Sequence, residues 1–139
     1  MLKSYLSDRN ISIYRLSKES HVPYSTLNDL VNRKLPVERL RSGQLRGLAA
    51  ALDLTMDTLY DLCTFSPIVR SEQYDVEAVI TVEHKTYCLH FERYGRQYKG
   101  EILPVRREAT AYLDTLALWK LEEMLQQLEL ESAYDNLCS

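Results

Sequence analysis

Hydrophobic residues in the first part of the chain recur three and four positions apart, the spacing of helices that bury one face. This pattern predicts five short helices. Ser12, Ser42 and Thr55 are expected to cap the second, fourth and fifth, because a hydroxyl accepts a hydrogen bond from an otherwise unpaired N–H. Pro23 supplies the fixed φ that opens the third helix, expected over about 24–32. The residues predicted to face inward are Leu2, Tyr5, Leu6, Leu27, Leu30, Val31, Leu45, Leu48, Ala49, Leu52, Leu59 and Leu62.

From Val76 the apolar residues alternate with polar ones, which is the period of a half-buried β-strand. Three such runs, separated by short gaps at His84-Lys85 and Gly95-Arg96, predict a three-stranded antiparallel meander. Pro104 ends it. A long helix of about 107–130 follows, and its apolar stripe should lie over one face of the sheet. That stripe is Leu113, Leu116, Ala117, Leu121, Met124, Leu125 and Leu128.

The change of period divides the chain into two units. Pro67 forbids continuation of the helical part, so the boundary is expected at 64–67. The predicted fold class is α+β overall, with an all-α unit at 1–63 and an α+β unit at 68–139. Apolar side chains in the second unit exceed what so small a unit was expected to bury, which favours dimerisation through it. They are Tyr87, Leu89, Phe91, Leu118 and Trp119.

Charge is distributed unevenly between these units, although the net charge is only −3. Residues 1–46 carry nine Lys and Arg against four acidic residues, whereas residues 108–139 carry seven acidic residues against Lys120 alone. Only the first unit therefore suits a polyanion. The acidic helix is interpreted either as a solvated face or as a surface for a basic protein partner.

The chemistry of an enzyme is not visible in the sequence. There is no Gly-rich phosphate loop, no HExxH and no GxSxG, so we expect neither an enzyme nor a cofactor. Cys63, Cys88 and Cys138 lie far apart and form no CxxC pair, which argues against disulfides and zinc. Cys88, His90 and His84 are interpreted as ordinary strand residues rather than metal ligands. No apolar run approaches a membrane span and the first residues do not look like a signal peptide, so a cytoplasmic protein is expected.

The segment from Ile11 to Asn32 has the mechanics of a helix-turn-helix, in which the second helix lies in the DNA groove. Within it, the stretch from Ile13 to Leu27, IYRLSKESHVPYSTL, resembles the Cro/cI-type (XRE, lambda-repressor-like) family. The later stretch LRGLAAALDLTMDTL, from Leu45 to Leu59, resembles that family's fourth and fifth helices. The resemblance covers residues 1 to about 63 and rests on two motifs in the right order and spacing.

This resemblance implies that the first unit binds DNA. The family's contact positions correspond to Tyr24, Ser25 and Asp29, facing bases, and to Ser12, Ile13 and Asn28, near the backbone or the groove. With neighbouring polar and basic side chains, the predicted DNA-binding set is Ser12, Tyr14, Arg15, Lys18, Tyr24, Ser25, Thr26, Asn28, Asp29, Asn32, Arg33 and Lys34. His21 and Asp53 stand where the family prefers Gly, and His21 is expected to adopt a left-handed or nearly left-handed conformation.

Several functions remain open at this point. The first is a sequence-specific repressor of its own operon that dimerises through residues 68–139, because one helix-turn-helix recognises only a half-site. The second is an antitoxin whose acidic half holds a toxin, and the third is a phage anti-CRISPR protein whose second half inhibits a CRISPR nuclease. A structural alternative is that the first unit serves only as a scaffold and does not contact DNA.

Overall fold

The computed structural model describes residues 1–108 and 112–138. The helices within these residues are α1 (Leu2–Asp8), α2 (Ile13–Ser20), α3 (Tyr24–Val31), α4 (Ser42–Leu52), α5 (Met56–Thr64) and α6 (Leu113–Cys138), with a short 3₁₀ helix at Val37–Arg39. The strands are β1 (Ile68–Ser71), β2 (Val76–Glu83), β3 (Thr86–Arg93) and β4 (Arg96–Pro104). In the described part of the chain, no helix has both the length and the apolar character that a membrane span requires.

The ends of the first five helices follow the predicted capping with one exception. Ser12 accepts from Arg15 N at 3.1 Å and Thr55 from Thr58 N at 3.2 Å, so both caps are confirmed. The prediction for Ser42 is wrong, because the extended N-cap conformation falls one residue earlier, at Arg41. The side chain of Gln44 accepts from the backbone N–H of Arg41 at 3.1 Å, which satisfies that donor without a serine cap.

The four strands form one antiparallel sheet in the order β1-β2-β3-β4. The prediction of three strands is wrong because β1 was missed. It is a four-residue edge strand in which the apolar Ile68 is 52% exposed and the polar Ser71 is buried, so its sequence does not alternate apolar and polar residues as its burial does. The second tight turn is also one residue earlier than predicted: β3 ends at Arg93 and the turn is Tyr94-Gly95, both with positive φ.

Helix α6 begins later and ends later than the predicted 107–130. Residues 107 and 108 are not helical, and the part of the prediction on 109–111 lies outside the described residues. Tyr112 has φ +63, which an α-helix cannot accommodate, so Leu113 is the first helical residue. The predicted stripe does cover one sheet face. Its buried members are Leu113, Ala117, Leu121 and Leu125, and its half-buried members are Leu116, Met124 and Leu128.

One continuous core joins the helical unit to the sheet. Ile80, Val82 and Tyr87 on the covered sheet face belong to the same buried cluster as Leu59 and Leu62 of α5. The predicted surplus of apolar side chains is therefore wrong for most of its members: Tyr87, Leu89 and Phe91 are buried within the chain itself. Trp119 is the exception, because its side chain is 65% exposed on α6 and lies outside this core.

Candidate nucleic-acid interface

The turn between α2 and α3 is fixed by serine hydroxyls. Ser20 Oγ donates to Leu16 O at 2.6 Å and accepts from Val22 N at 3.3 Å, while Ser17 Oγ donates to Val22 O at 2.6 Å. His21 ends α2 with φ +61 and ψ +22, so the predicted left-handed conformation is confirmed. Short side chains and one left-handed residue thus set the angle at which α3 leaves α2.

Helix α3 has an apolar face and a polar face, as its sequence predicts. Leu27, Leu30 and Val31 are buried in the core. On the opposite side Tyr24 is 52% exposed and Ser25 is exposed. Because these exposures are those of the whole described chain, the second half does not cover this end of α3.

Helices α2 and α4 approach each other at Gly47. A Cβ on Gly47 would lie 2.6 Å from the carbonyl oxygen of Ser20, closer than real Cβ contacts allow. Only Gly fits at this crossing, which holds α2, and through the turn also α3, against the helical core.

Comparison with protein-family models agrees with this geometry. Residues 1–64 match the model of the Cro/C1-type HTH DNA-binding domain. The N-terminal half is a Cro/C1-type helix-turn-helix domain. Such a domain belongs to DNA-binding transcription regulators, and the match ends with the last residue of α5. Comparison of the chain with curated proteins and with solved structures gave no match.

The twelve predicted contact residues lie on one continuous part of the Cro/C1-type domain, from the cap of α2 to the segment after α3. None of them is buried. Ser12, Tyr14, Arg15, Lys18, Tyr24, Ser25, Asp29, Asn32, Arg33 and Lys34 are exposed, and Thr26 and Asn28 are half-buried. Tyr14, Lys18 and Tyr24 line one groove, whereas Asn32 and Arg33 line a separate cavity together with residues of β2. The predicted set is therefore accessible, but not all of its members lie at the same groove.

Two of the basic residues in the predicted set have partners on their own helix. Arg15 Nε lies 2.9 Å from Glu19 Oε1 in an exposed pair, and Lys18 Nζ lies 5.2 Å from the centre of the Tyr14 ring. Neither contact is strong in water, because exposed ion pairs contribute only about 0–1 kcal/mol. Lys18 therefore remains available to a phosphate group, whereas Arg15 must leave Glu19 to reach one.

Asn28 and Asn32 form a small network along α3. Asn32 Nδ2 donates to Asn28 O at 2.9 Å and to Asn28 Oδ1 at 3.2 Å. This arrangement holds the Asn28 side chain in one orientation. Its amide nitrogen and the second lone pair of its oxygen are not used by Asn32, and these are the two groups that pair with adenine.

Arg33 has a structural contact that the sequence did not predict. The residue has φ +60, and its Nη1 donates to Phe65 O at 3.3 Å, just after the last helix of the domain. The backbone N–H groups of Lys34 and Leu35 both donate to Asp29 O, at 2.8 and 3.2 Å, and close the end of α3. Of the two basic residues that follow α3, Arg33 and Lys34, Lys34 therefore has the side chain that is better placed to contact DNA.

Sequence analysis missed two residues beside the predicted set. Ser17 and His21 line a shallow groove of about 370 Å³ between Tyr14 and Tyr24. The signal was present: Tyr14, Lys18 and His21 are four and three positions apart, so they share one face of α2. Two exposed tyrosines on either side of a groove lined by lysine and histidine suit a sugar-phosphate strand.

The outer face of the sheet carries a polar cluster of a different kind. His90 Nε2 contacts Glu83 and lies 3.1 Å from Thr81 Oγ1, while Lys99 Nζ lies 3.4 Å from Glu83. Hydrogen bonds from Thr81 and His90 lower the pKa of Glu83 to about 2. Across residues 1–108 and 112–138, no group of three His, Cys, Asp or Glu side chains is placed to hold a metal ion.

Proposed function

We propose that this chain is a sequence-specific, non-enzymatic repressor that binds the operator of its own operon as a homodimer. The observation that carries the proposal is the polar face of α3, which is accessible in the context of the whole chain. The basic residues Arg15 and Lys18 of α2 and Lys34 flank this face. A scaffold domain that never contacts DNA would not need to leave Tyr24 and Ser25 uncovered at the start of this helix.

The proposed contacts divide into two kinds. Tyr24, Ser25 and Asn28 face bases in the major groove, with Asp29 accepting from a cytosine amino group. Lys18 and Lys34 bind phosphates and supply most of the affinity, which makes binding salt-dependent. Base contacts then decide which duplex is bound, and phosphate contacts decide how tightly any duplex is bound.

Fluorescence anisotropy with the promoter region of the protein's own operon, and with a scrambled duplex, tests this function. We expect Tyr24→Ala and Asn28→Ala to weaken binding to the promoter DNA by about 1–3 kcal/mol each while changing scrambled-duplex binding little. Lys34→Gln should weaken both equally. Arg96→Gln, which removes an exposed basic residue from the sheet half, is the matched control. It should not change binding to either duplex. If Tyr24→Ala, Asn28→Ala and Lys34→Gln all lose the same affinity for both duplexes, α3 does not select the DNA sequence.

A second candidate is supported by the acidic surface of α6. Within the described residues only Glu129 of this helix has an ion-pair partner, and Glu122, Glu123, Glu131 and Asp135 have none. Such a surface suits a basic protein, such as a toxin or the nucleic-acid channel of a CRISPR nuclease. Salt-sensitive binding of the purified chain to the product of a neighbouring toxin gene or to a CRISPR nuclease, lost when Glu122, Glu123 and Glu131 are changed to Gln, would favour the antitoxin or anti-CRISPR function.

A further inference from the structure

Helix α6 has a second apolar stripe that the sheet does not cover. Trp119 is 65% exposed, Leu130 59%, Tyr134 67% and Leu137 87%. Each residue of an α-helix turns by about 100°, so these side chains lie opposite Leu121 and the other buried residues of the helix. We call the surface formed by Trp119, Glu123, Gln126, Leu130, Ala133 and Leu137 the outer seam of α6.

The residues of the outer seam follow the spacing of a coiled coil. Successive members are alternately four and three positions apart along the chain. This is the repeat by which one helix packs against another with interlocking side chains. The sheet therefore takes one face of α6, and the opposite face has the pattern that fits a second helix.

We propose that the outer seam pairs with the outer seam of a second copy, in the antiparallel orientation. The pairing rests on the proposed function, because a repressor that reads a two-fold operator needs two copies of α3. A two-fold axis near Leu128 places Trp119 opposite Leu137 and Gln126 opposite Leu130 of the other copy. The parallel orientation would instead place Glu123 against its own copy, which like charges disfavour.

The flanks of the seam are compatible with this orientation. Lys120 lies opposite Tyr134 of the second copy, where its ammonium group can face the aromatic ring. Glu129 approaches its own copy, but it is already neutralised within the chain. Arg93 Nη2 donates to Glu129 Oε1 at 2.9 Å, and the hydroxyl of Tyr94 donates to the same oxygen at 2.9 Å.

The size of the seam is also adequate for a moderate dimer. From their exposed fractions, Trp119, Leu130, Tyr134 and Leu137 offer on the order of 500 Å² of surface per copy. A standard interface buries roughly 800 Å² per partner, and the remainder can come from Glu123, Gln126 and Ala133. A shallow groove beside Trp119, lined by Gln73, Tyr74 and Glu122 among others, lies where Leu137 of the second copy would enter.

Light scattering of the whole chain is the first test. We expect a dimer at tens of micromolar, and a monomer for the double variant Leu130→Gln with Leu137→Gln, whose dissociation constant should rise at least 100-fold. Both sites are exposed, so circular dichroism should be unchanged. Ile68→Gln, which removes an exposed apolar side chain from β1, should remain dimeric. A monomeric wild type, or a double variant that stays dimeric, would overturn the proposal.

Cysteine cross-linking tests the orientation. On a Cys138→Ser background, chains carrying Glu123→Cys are mixed with chains carrying Ala133→Cys and treated with a short bis-maleimide. The antiparallel seam predicts cross-linked dimers in the mixture and almost none in either sample alone, whereas efficient cross-linking of Glu123→Cys alone would show a parallel pair and contradict the proposal. Fluorescence anisotropy with DNA on the same samples tests the two proposals separately. Dimers that bind no DNA would refute the proposed repressor function and leave the proposed pairing of the outer seams intact.

Discussion

The hydroxyl of Ser4 on α1 accepts a hydrogen bond from the backbone N–H of Val82 on β2 at 2.6 Å. Four residues later, the carboxylate of Asp8 accepts from the backbone N–H groups of His84 and Lys85. The first helix of the Cro/C1-type domain thus accepts hydrogen bonds from backbone N–H groups at the end of β2 and in the turn after it. The short edge strand β1 does not reach these groups. Since both units also share one buried core, we expect the chain to unfold in a single cooperative step.

We expect Ser4→Ala to destabilise the whole chain. The change leaves the N–H of Val82 without its partner in a part-buried position, which costs about 1–3 kcal/mol. Urea unfolding followed by circular dichroism measures the loss. Ser7→Ala is the matched control, because Ser7 is exposed on the same helix and its side chain has no hydrogen bond within the described residues. A loss equal to that of Ser7→Ala would mean that α1 does not hold the sheet in solution.

We expect Gly47→Ala to be more damaging than its conservative chemistry suggests. The added Cβ would meet the carbonyl oxygen of Ser20 at 2.6 Å, so α2 and α4 must move apart. Overpacking of this kind costs about 1–3 kcal/mol. Gly43→Ala, in the same helix with nothing within 4 Å of the new Cβ, should be neutral or slightly stabilising. Thermal unfolding of the two variants compares them, and similar melting temperatures would contradict the close approach.

The helical half could be predicted from sequence in detail because local signals and packing agree there. Ser12 and Thr55 are good caps by chemistry alone, and Leu27, Leu30 and Val31 recur at helical spacing within α3. The polar face of α3 was predictable for the same reason, because helical spacing places Leu27, Leu30 and Val31 inward. The choice of contact residues on that face comes from the family resemblance and stays a prediction. The structural contact of Arg33 was harder to predict, because its hydrogen bond to Phe65 joins residues 32 positions apart.

The second half was predicted less completely because its signals depend on distant partners. Strand β1 is recognisable only through its pairing with β2, because its four residues, Ile-Val-Arg-Ser, do not alternate apolar and polar side chains. The true length of α6 was obscured by its two opposite apolar faces, since the sheet explains the stripe only as far as Leu128. Trp119 was counted among the apolar side chains available for dimerisation, but the sequence does not say which of the two faces of α6 it occupies.

The polar cluster on the outer sheet face makes stability depend on pH through Glu83. Its pKa is lowered from 4.5 to about 2, mainly by hydrogen bonds from Thr81 and His90. A depressed carboxyl pKa contributes stability that is fully present above pH 4.5 and is lost as the pH falls from 4.5 towards 2. Because the side chain is partly exposed, the contribution should not exceed about 1 kcal/mol.

We therefore expect Glu83→Gln to be less stable than the wild type at pH 7 and equally stable near pH 2. Urea midpoints measured at intervals between these values provide the comparison. Glu77→Gln removes an exposed carboxylate from the same strand and should produce no such convergence. If the gap between Glu83→Gln and the wild type stays constant with pH, the stabilisation by Glu83 is not electrostatic.

The last prediction concerns Glu19, which holds Arg15 in an exposed ion pair at 2.9 Å. We expect Glu19→Gln to strengthen binding to every duplex by a few-fold, because it frees Arg15 for a phosphate and removes a negative charge near the DNA. One additional phosphate contact should steepen the plot of log affinity against log salt concentration by about 0.9. Anisotropy titrations between 50 and 200 mM salt, on the scale over which such contacts change affinity, measure the slope. Glu92→Gln makes the same change of net charge on an exposed strand residue far along the chain, and it should leave the slope unchanged. If both variants change binding equally, the gain reflects net charge alone and Arg15 does not reach the backbone; if only Glu19→Gln steepens the slope, α2 lies across the phosphates as the helix-turn-helix geometry requires.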